Sequence, residues 1–145
     1  MMKKVLFASD HAGVNLKQTL ITAVTSWGYT SQDLGPCDLQ PVDYPDYARN
    51  LCEALLASQG DIGVLICGSG IGMSIMANRF KGIRGALCLS TEMANLSRRH
   101  NNANVLILGA RLTTCSEAAT DILKTFLDTP YEGGRHDQRI SKFDI

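Results

Sequence analysis

The sequence predicts an α/β fold: a doubly wound parallel sheet of about five strands in a Rossmann-like three-layer sandwich, with a C-terminal arm. Three observations predict it. Short β-branched and apolar runs recur between stretches with helical spacing. Those runs are apolar almost throughout, the pattern of strands covered on both faces rather than one. The chain, 145 residues with 45% hydrophobic and 19% charged side chains, has the size and composition of one ordinary globular domain spanning 1–145. Strands that alternate with helices and connect by right-handed crossovers form a parallel sheet with helices on both sides.

The elements follow in order. Val5-Leu6-Phe7-Ala8 is the core of a first strand, placed at 3–9, and Leu16, Leu20, Val24 and Trp27 then repeat at helical spacing. A weaker strand is expected within 29–34. A helix starts near Asp43-Tyr44-Pro45, with proline in its first turn, and turns Leu51, Cys52, Leu55 and Leu56 inward. Ile62-Gly63-Val64-Leu65-Ile66 marks a strand at 62–67, which runs through glycines into a helix carrying Ile75, Met76, Asn78 and Phe80. Ala86-Leu87-Cys88-Leu89 and Val105-Leu106-Ile107-Leu108 predict buried strands at 84–89 and 104–109. Thr114-Cys115-Ser116-Glu117 reads as a capping box opening a helix through Ala119, Ile122, Leu123, Phe126 and Leu127, which stops before Pro130. The remaining arm, 131–145, has few apolar residues and is expected to dock on another surface.

Charge and cysteine content narrow the chemistry. With 14 Lys+Arg against 14 Asp+Glu the net charge is zero, so no long-range field draws in nucleic acid or an anionic membrane, and any ligand grip must be local. No apolar run approaches the roughly 18 residues of a membrane helix, and the N-terminal apolar run is too short for a signal-peptide core. A cytoplasmic protein is expected. Five cysteines, Cys37, Cys52, Cys67, Cys88 and Cys115, form no C-x-x-C pair, which argues against a disulfide framework or a zinc knuckle. All except Cys67 read as core filler.

In open α/β sheets ligands sit beyond the carboxyl ends of the strands, and the residues there carry most of the chemistry. Cys67-Gly68-Ser69-Gly70-Ile71-Gly72 takes a strand through a glycine loop into a helix, which aims successive N–H groups at one point and suits phosphate or an oxyanion. Its G-x-G-x-G spacing is neither the dinucleotide fingerprint nor a Walker loop. Glycines that merely permit tight packing are the competing reading. Cys67 ends the strand where the following helix favours a thiolate that could act as a base, although buried cysteine is common filler. Ser9-Asp10-His11 ends the first strand in the same crevice; capping explains Asp10 alone and leaves His11 unexplained. Arg98-Arg99-His100-Asn101-Asn102-Ala103-Asn104 is either a second functional cluster or a solvated polar loop. Arg111 follows the strand at 104–109, and Arg135 and Arg139, four apart, share a helical face whose guanidinium forks suit phosphate oxygens.

Together with Asp43-Tyr44-Pro45, Ala77-Asn78, Gly109-Ala110-Arg111 and Tyr131-Glu132-Gly133-Gly134-Arg135-His136, these segments resemble, in order and over nearly the whole chain, the ribose-5-phosphate isomerase type B family, which includes galactose-6-phosphate isomerase subunits. The resemblance implies interconversion of ribose 5-phosphate and ribulose 5-phosphate through an enediolate, with no metal or organic cofactor. It makes Cys67 the base and gives the enediolate to Ser69 and the amides of Gly68, Gly70, Ile71 and Gly72. His100, with Asp10 assisting, would open the sugar ring; Asn101 would hold reacting oxygens and Tyr44 would line the pocket. His11, Arg111, Arg135 and Arg139 would clasp the phosphate. Some relatives lack the cysteine and use a glutamate where this chain has Met73, which cannot accept a proton, so the chain resembles the cysteine-type subgroup. Homodimers or dimers of dimers with shared clefts are implied, with the arm on a neighbour. A hexose-phosphate isomerase acting on allose or galactose 6-phosphate is the alternative within the family. A non-catalytic phosphate- or nucleotide-binding module is the alternative outside it.

Overall fold

The computed structural model describes residues 3–144. Five strands, β1 (Lys4–Ser9), β2 (Thr30–Asp33), β3 (Ile62–Cys67), β4 (Gly85–Leu87) and β5 (Val105–Gly109), form one sheet in the order β2-β1-β3-β5-β4, and every pairing is parallel. The helices are α1 (Val14–Ser26), α2 (Tyr44–Leu56), α3 (Ile71–Ala77), α4 (Thr91–Asn101), α5 (Ser116–Asp128) and α6 (Arg135–Ile140). None of them is long and apolar enough to cross a membrane.

The twofold alternation of strand side chains sorts the core into two layers. Val5, Phe7, Val64, Ile66, Leu106 and Leu108 pack with Leu20 and Val24 of α1, Ala94 of α4 and Leu123 and Phe126 of α5. Leu6, Ala8, Leu65, Cys67, Val105 and Ile107 pack on the other face with Leu51 and Cys52 of α2 and Met73 and Ala77 of α3. Near-continuous apolar strands therefore mean here what they predicted, a sheet sandwiched by helices. The chain leaves β1 for β2 through α1 on one face and returns to β3 through α2 on the other. The winding direction thus reverses between the carboxyl ends of β1 and β3, and that is where a doubly wound sheet opens a crevice.

Several local expectations are corrected. β4 spans three residues instead of 84–89, because as an edge strand it pairs only with β5; the run Ala86–Leu89 is not covered on both faces, and Leu89 is 57% exposed. The helix after the glycine loop ends at Ala77, so Phe80 lies beyond it. Asn78 leaves the helix and its carboxamide bonds both the N–H and the C=O of Gly85, at 2.8 and 3.0 Å. The cap of α5 is Cys115 rather than Thr114: Cys115 holds the extended backbone at the entrance, and its Sγ accepts from the Ala118 N–H at 3.4 Å. Cys52 and Cys88 are core filler, and burial pushes their thiols up to about 12 and about 11. Cys37 and Cys115 are exposed, against the filler reading.

The arm also finds a place on its own chain. His136 of α6 is buried against α4, and the Asp144 carboxylate accepts from the Gly82 N–H at 2.8 Å. Imidazole stacking and ion pairs hold it instead of apolar side chains, and for that reason composition suggested it had no home there. Ile145, the last residue of the predicted arm, lies outside the described residues.

Candidate active site

The crevice at the switch point has a volume of about 490 Å³ and is lined by Asp10, Tyr44, Cys67, Gly68, Ser69, Ile71, Gly72, Ile75 and Arg111. Cys67 is the last residue of β3, and its Sγ accepts from the Gly70 N–H at 3.2 Å, which aims a backbone donor at the sulfur. The loop is locked from two sides. The Cys67 carbonyl accepts from Ala110 N–H at 2.8 Å and the Gly68 carbonyl from Arg111 N–H at 2.9 Å, lacing the exits of β3 and β5 together. Gly70 adopts a left-handed conformation, φ 78°, and a Cβ there would stand 2.6 Å from Leu87 Cδ1. Tight packing is thus real, and it also fixes where the loop amides stand. Ser69 Oγ accepts from the Ile71 N–H at 3.1 Å and keeps its hydroxyl hydrogen for a ligand. The amides of Gly72 and Met73 open the first turn of α3, where N–H groups have no intrahelical acceptor.

The remaining lining residues are held by separate contacts. Asp10 accepts from the Ala12 N–H at 2.9 Å, the expected cap, and still borders the crevice. Beside it, His11 Nδ1 accepts from the Val42 N–H at 3.3 Å, which assigns the proton of the neutral ring to Nε2. Tyr44, at the start of α2, lies so close to Gly72 that a Cβ there would overlap its ring. The Arg111 guanidinium covers Gly68, its Nη1 3.0 Å from where a Cβ would be. Sequence reasoning missed Lys17. Fully buried, its ammonium donates to the Pro36 carbonyl at 2.5 Å and pairs with Asp33 at 2.8 Å, pinning the start of the loop that carries Val42 and leads to Tyr44. A cation on the inward side of an amphipathic helix is its only sequence signal.

Two predicted site residues, His11 and Gly70, stand next to lining residues without lining the crevice themselves, and four others are not brought to it. α4 starts beyond the carboxyl end of β4 and returns to the amino end of β5, so His100 and Asn101 in its last turn lie at the opposite end of the sheet. Asn101 borders a separate cavity of about 280 Å³ with Arg84, Gly85, Phe143 and Asp144. The His100 ring stacks on His136, centroids 4.5 Å apart and planes 20° apart. Arg135 and Arg139 share α6 as their spacing predicted, and both are exposed. The run 98–104 divides in the same way. Arg98 hydrogen-bonds Asn102, Ala103 and Thr129, Asn102 is the left-handed cap of α4, and Asn104 holds Gly82 and Arg84, all of which is architecture. Burial, followed by the nearby Arg84, lowers the pKa of Arg98. Arg99 pairs with Glu132 at 3.0 Å. His136 and Glu132 were present in the arm motif but singled out by no spacing.

Comparison with known proteins agrees with this layout. The model of the Ribose/Galactose Isomerase family matches residues 5–143. The ribose-5-phosphate isomerase B of Escherichia coli (strain K12) is 42% identical over 139 residues, covering 96% of this chain and 93% of that protein. A crystal structure of a ribose 5-phosphate isomerase from Thermotoga maritima superimposes with a TM-score of 0.96 at 47% identity, covering 99% of both chains. The type B enzyme of Trypanosoma brucei gives 0.95 at 43% identity, over 99% of this chain and 98% of that one. A parallel sheet with its glycine loop at the switch point, matched at this identity over nearly every residue, places the chain in the Ribose/Galactose Isomerase family.

Proposed function

We propose that the chain interconverts ribose 5-phosphate and ribulose 5-phosphate through a cis-enediolate, with Cys67 as the base, in a homodimer or dimer of dimers whose sites are shared. One observation carries the reading: the Cys67 sulfur and the amides of its glycine loop border one crevice. Its relatives' names supply the substrate. The Cys67 thiolate takes the hydrogen of C2 as a proton, and the released electron pair forms the C1–C2 double bond while the C1 carbonyl oxygen becomes an oxyanion. Donors fixed before the charge appears stabilise it best; the Gly70 and Ile71 amides already serve the Cys67 sulfur and Ser69 Oγ, which leaves the Gly68 and Gly72 amides with the Ser69 hydroxyl as such donors. The O2 proton passes to O1 and the thiol returns its proton to C1, leaving the ketone at C2. Arg111 and His11 take the phosphate from this chain. His100, Asn101, Arg135 and Arg139 of a second copy supply ring opening and the remaining grip, since within one chain they sit at the other end of the sheet.

The test is complementation. Cys67→Ala and His100→Ala are each expected to abolish turnover of ribose 5-phosphate. Mixing equal amounts of the two after dissociation makes half the dimers mixed, each with one intact site of two, so about a quarter of wild-type activity returns. No recovery, with mixed dimers verified by differential tagging, would mean the two residues do not meet across the subunit interface. Full activity of Cys67→Ala would remove the assigned base, and comparing kcat/KM for pentose and hexose phosphates fixes the sugar.

A further inference from the structure

We propose that His100, His136 and Glu132 form a binding site for a divalent transition cation of the zinc class, and that a cation held there switches the enzyme off. The inhibitory half rests on the reading of His100 as the ring-opening group; the site itself does not.

One ring nitrogen of each histidine and one oxygen of Glu132 lie within 4.8 Å of one another. His136 is 5% exposed, and its Nε2 is buried with no hydrogen-bond partner. Glu132 Oε1 stands 3.7 Å from it, too far for a hydrogen bond. A buried ring nitrogen aimed at a carboxylate across such a gap is an incomplete pair that a bridging cation would complete. The two oxygens of Glu132 are already divided between tasks. Oε2 accepts from Arg99, at 3.2 Å from Nε and 3.0 Å from Nη2, while Oε1 faces the imidazoles with Arg135 no nearer than 3.8 Å. A ligating carboxylate oriented by a second partner on its other oxygen is the usual arrangement around protein-bound metal.

Electrostatics do not oppose this geometry: the Arg99 hydrogen bond holds the Glu132 carboxyl below its ordinary range, and burial, with Arg135 and His100 adding to it, pushes His136 down, the direction metal ligation needs. Two imidazoles and one carboxylate with a fourth position open is a set that zinc accepts, and imidazole suits zinc, nickel and copper in general. Bonds of about 2.0–2.1 Å in a tetrahedron bring ligand atoms to roughly 3.4 Å from each other, so the three must close in slightly. Glu132 is exposed and His100 half-buried, which leaves both free to do so. A His100 nitrogen bound to metal has no lone pair to trade with a sugar hydroxyl.

Calorimetric titration with ZnCl₂, visible absorption with Co²⁺, and ribose 5-phosphate turnover with and without chelator test this in wild type, His136→Gln and Glu132→Gln. Expected are one zinc per chain, at least about tenfold weaker binding in each variant, and chelator-reversible inhibition of wild type that the variants escape in proportion. Unchanged zinc affinity in both variants, or a cobalt spectrum dominated by thiolate charge transfer, would place the metal on cysteine and overturn the site. Binding that the variants weaken, with no inhibition of wild type, upholds the site and overturns the role of His100. If His136→Gln fails to fold, Glu132→Gln, at an exposed position, decides alone.

Discussion

Gly109→Ala tests whether the glycine loop is catalytic apparatus or only a turn. Gly109 ends β5 directly against the loop, and a Cβ there would stand 2.5 Å from the Ser69 carbonyl oxygen and 2.6 Å from its carbon, where ordinary contact begins at 3.4 Å. Both atoms are backbone, so no rotamer relieves the clash and the Ser69 peptide must retreat by about 0.9 Å. Reacting groups misplaced by about 1 Å lose on the order of 10²-fold in rate. The variant should therefore lose about 10²-fold in kcat, some 2.7 kcal/mol of transition-state stabilisation. Gly63→Ala is the companion: its Cβ would meet Leu51 Cδ2, also at 2.5 Å, but that atom ends a flexible side chain in the middle of the core. It should cost about 1–3 kcal/mol of stability, as overpacking does, and leave kcat near wild type. The assay is ribulose 5-phosphate formation at saturating ribose 5-phosphate, beside thermal unfolding of each variant. If Gly109→Ala keeps kcat within about threefold, or both variants lose rate only in step with stability, the loop amides are not placed against the reacting atoms.

Lys17→Met strips a fully buried ammonium from Asp33 and the Pro36 carbonyl, and breaking such a pair from one side should cost about 3 kcal/mol in urea unfolding, with Lys17→Met/Asp33→Leu recovering a good part of it. A loss under about 1 kcal/mol would make the pair ornamental. His136 has its folded-state pKa below the ordinary 6.5, so between that value and the lower one the unfolded chain binds the proton the folded chain refuses. Stability is therefore level above about pH 6.5 on this account and falls as pH drops through that window. The lowered Glu132 adds a second loss below its ordinary 4.5. Thermal unfolding from pH 8 to 4 should show the first decline in wild type and not in His136→Gln; equal slopes in both would remove His136 as its source.

The sheet was legible because its cause is local. Four apolar runs need cover, and their spacing leaves room only for crossovers, so β1, β3 and β5 fall within a residue or two of expectation. β4 was overdrawn because an edge strand and a central one have the same apolar residues, and only the pairing order decides which is which. The glycine loop was legible since a left-handed turn at φ 78° favours glycine, and at Gly70 a Cβ would also meet Leu87 and the Leu108 backbone. Lys17 and His136 were not. Each is polar, each is buried, and what makes burial tolerable, the Pro36 carbonyl and Asp33 for one and the His100 ring for the other, is tertiary. Sequence could place Cys67 and His100 on their elements, but the antiparallel course of α4 against the strands decided that they part company.

That separation has a size. β5 alone covers about 16 Å at 3.3 Å per residue, so Cys67 at one end of the sheet and His100 at the other are several times farther apart than the roughly 3 Å of a proton transfer. No side-chain rotation closes such a gap, and opening the sheet to do so would dismantle the core that positions the glycine loop. On the proposed shared-site reading a second copy would close it without deformation, and exposed apolar side chains offer a surface to receive one. Ile71 and Ile75 on α3, with Leu89, Met93 and Leu96 at spacings of four and three leading into and along α4, are large apolar side chains left exposed around the short edge strand β4. Exposed apolar groups beside an open sheet edge favour association. Under that proposal, a chain that buried them against its twin would hide the edge and carry its own histidine, asparagine and arginines toward the partner's thiol in one step. Catalysis and assembly would then share one free energy, and dilution below the dimer dissociation constant should extinguish turnover before it unfolds the sheet.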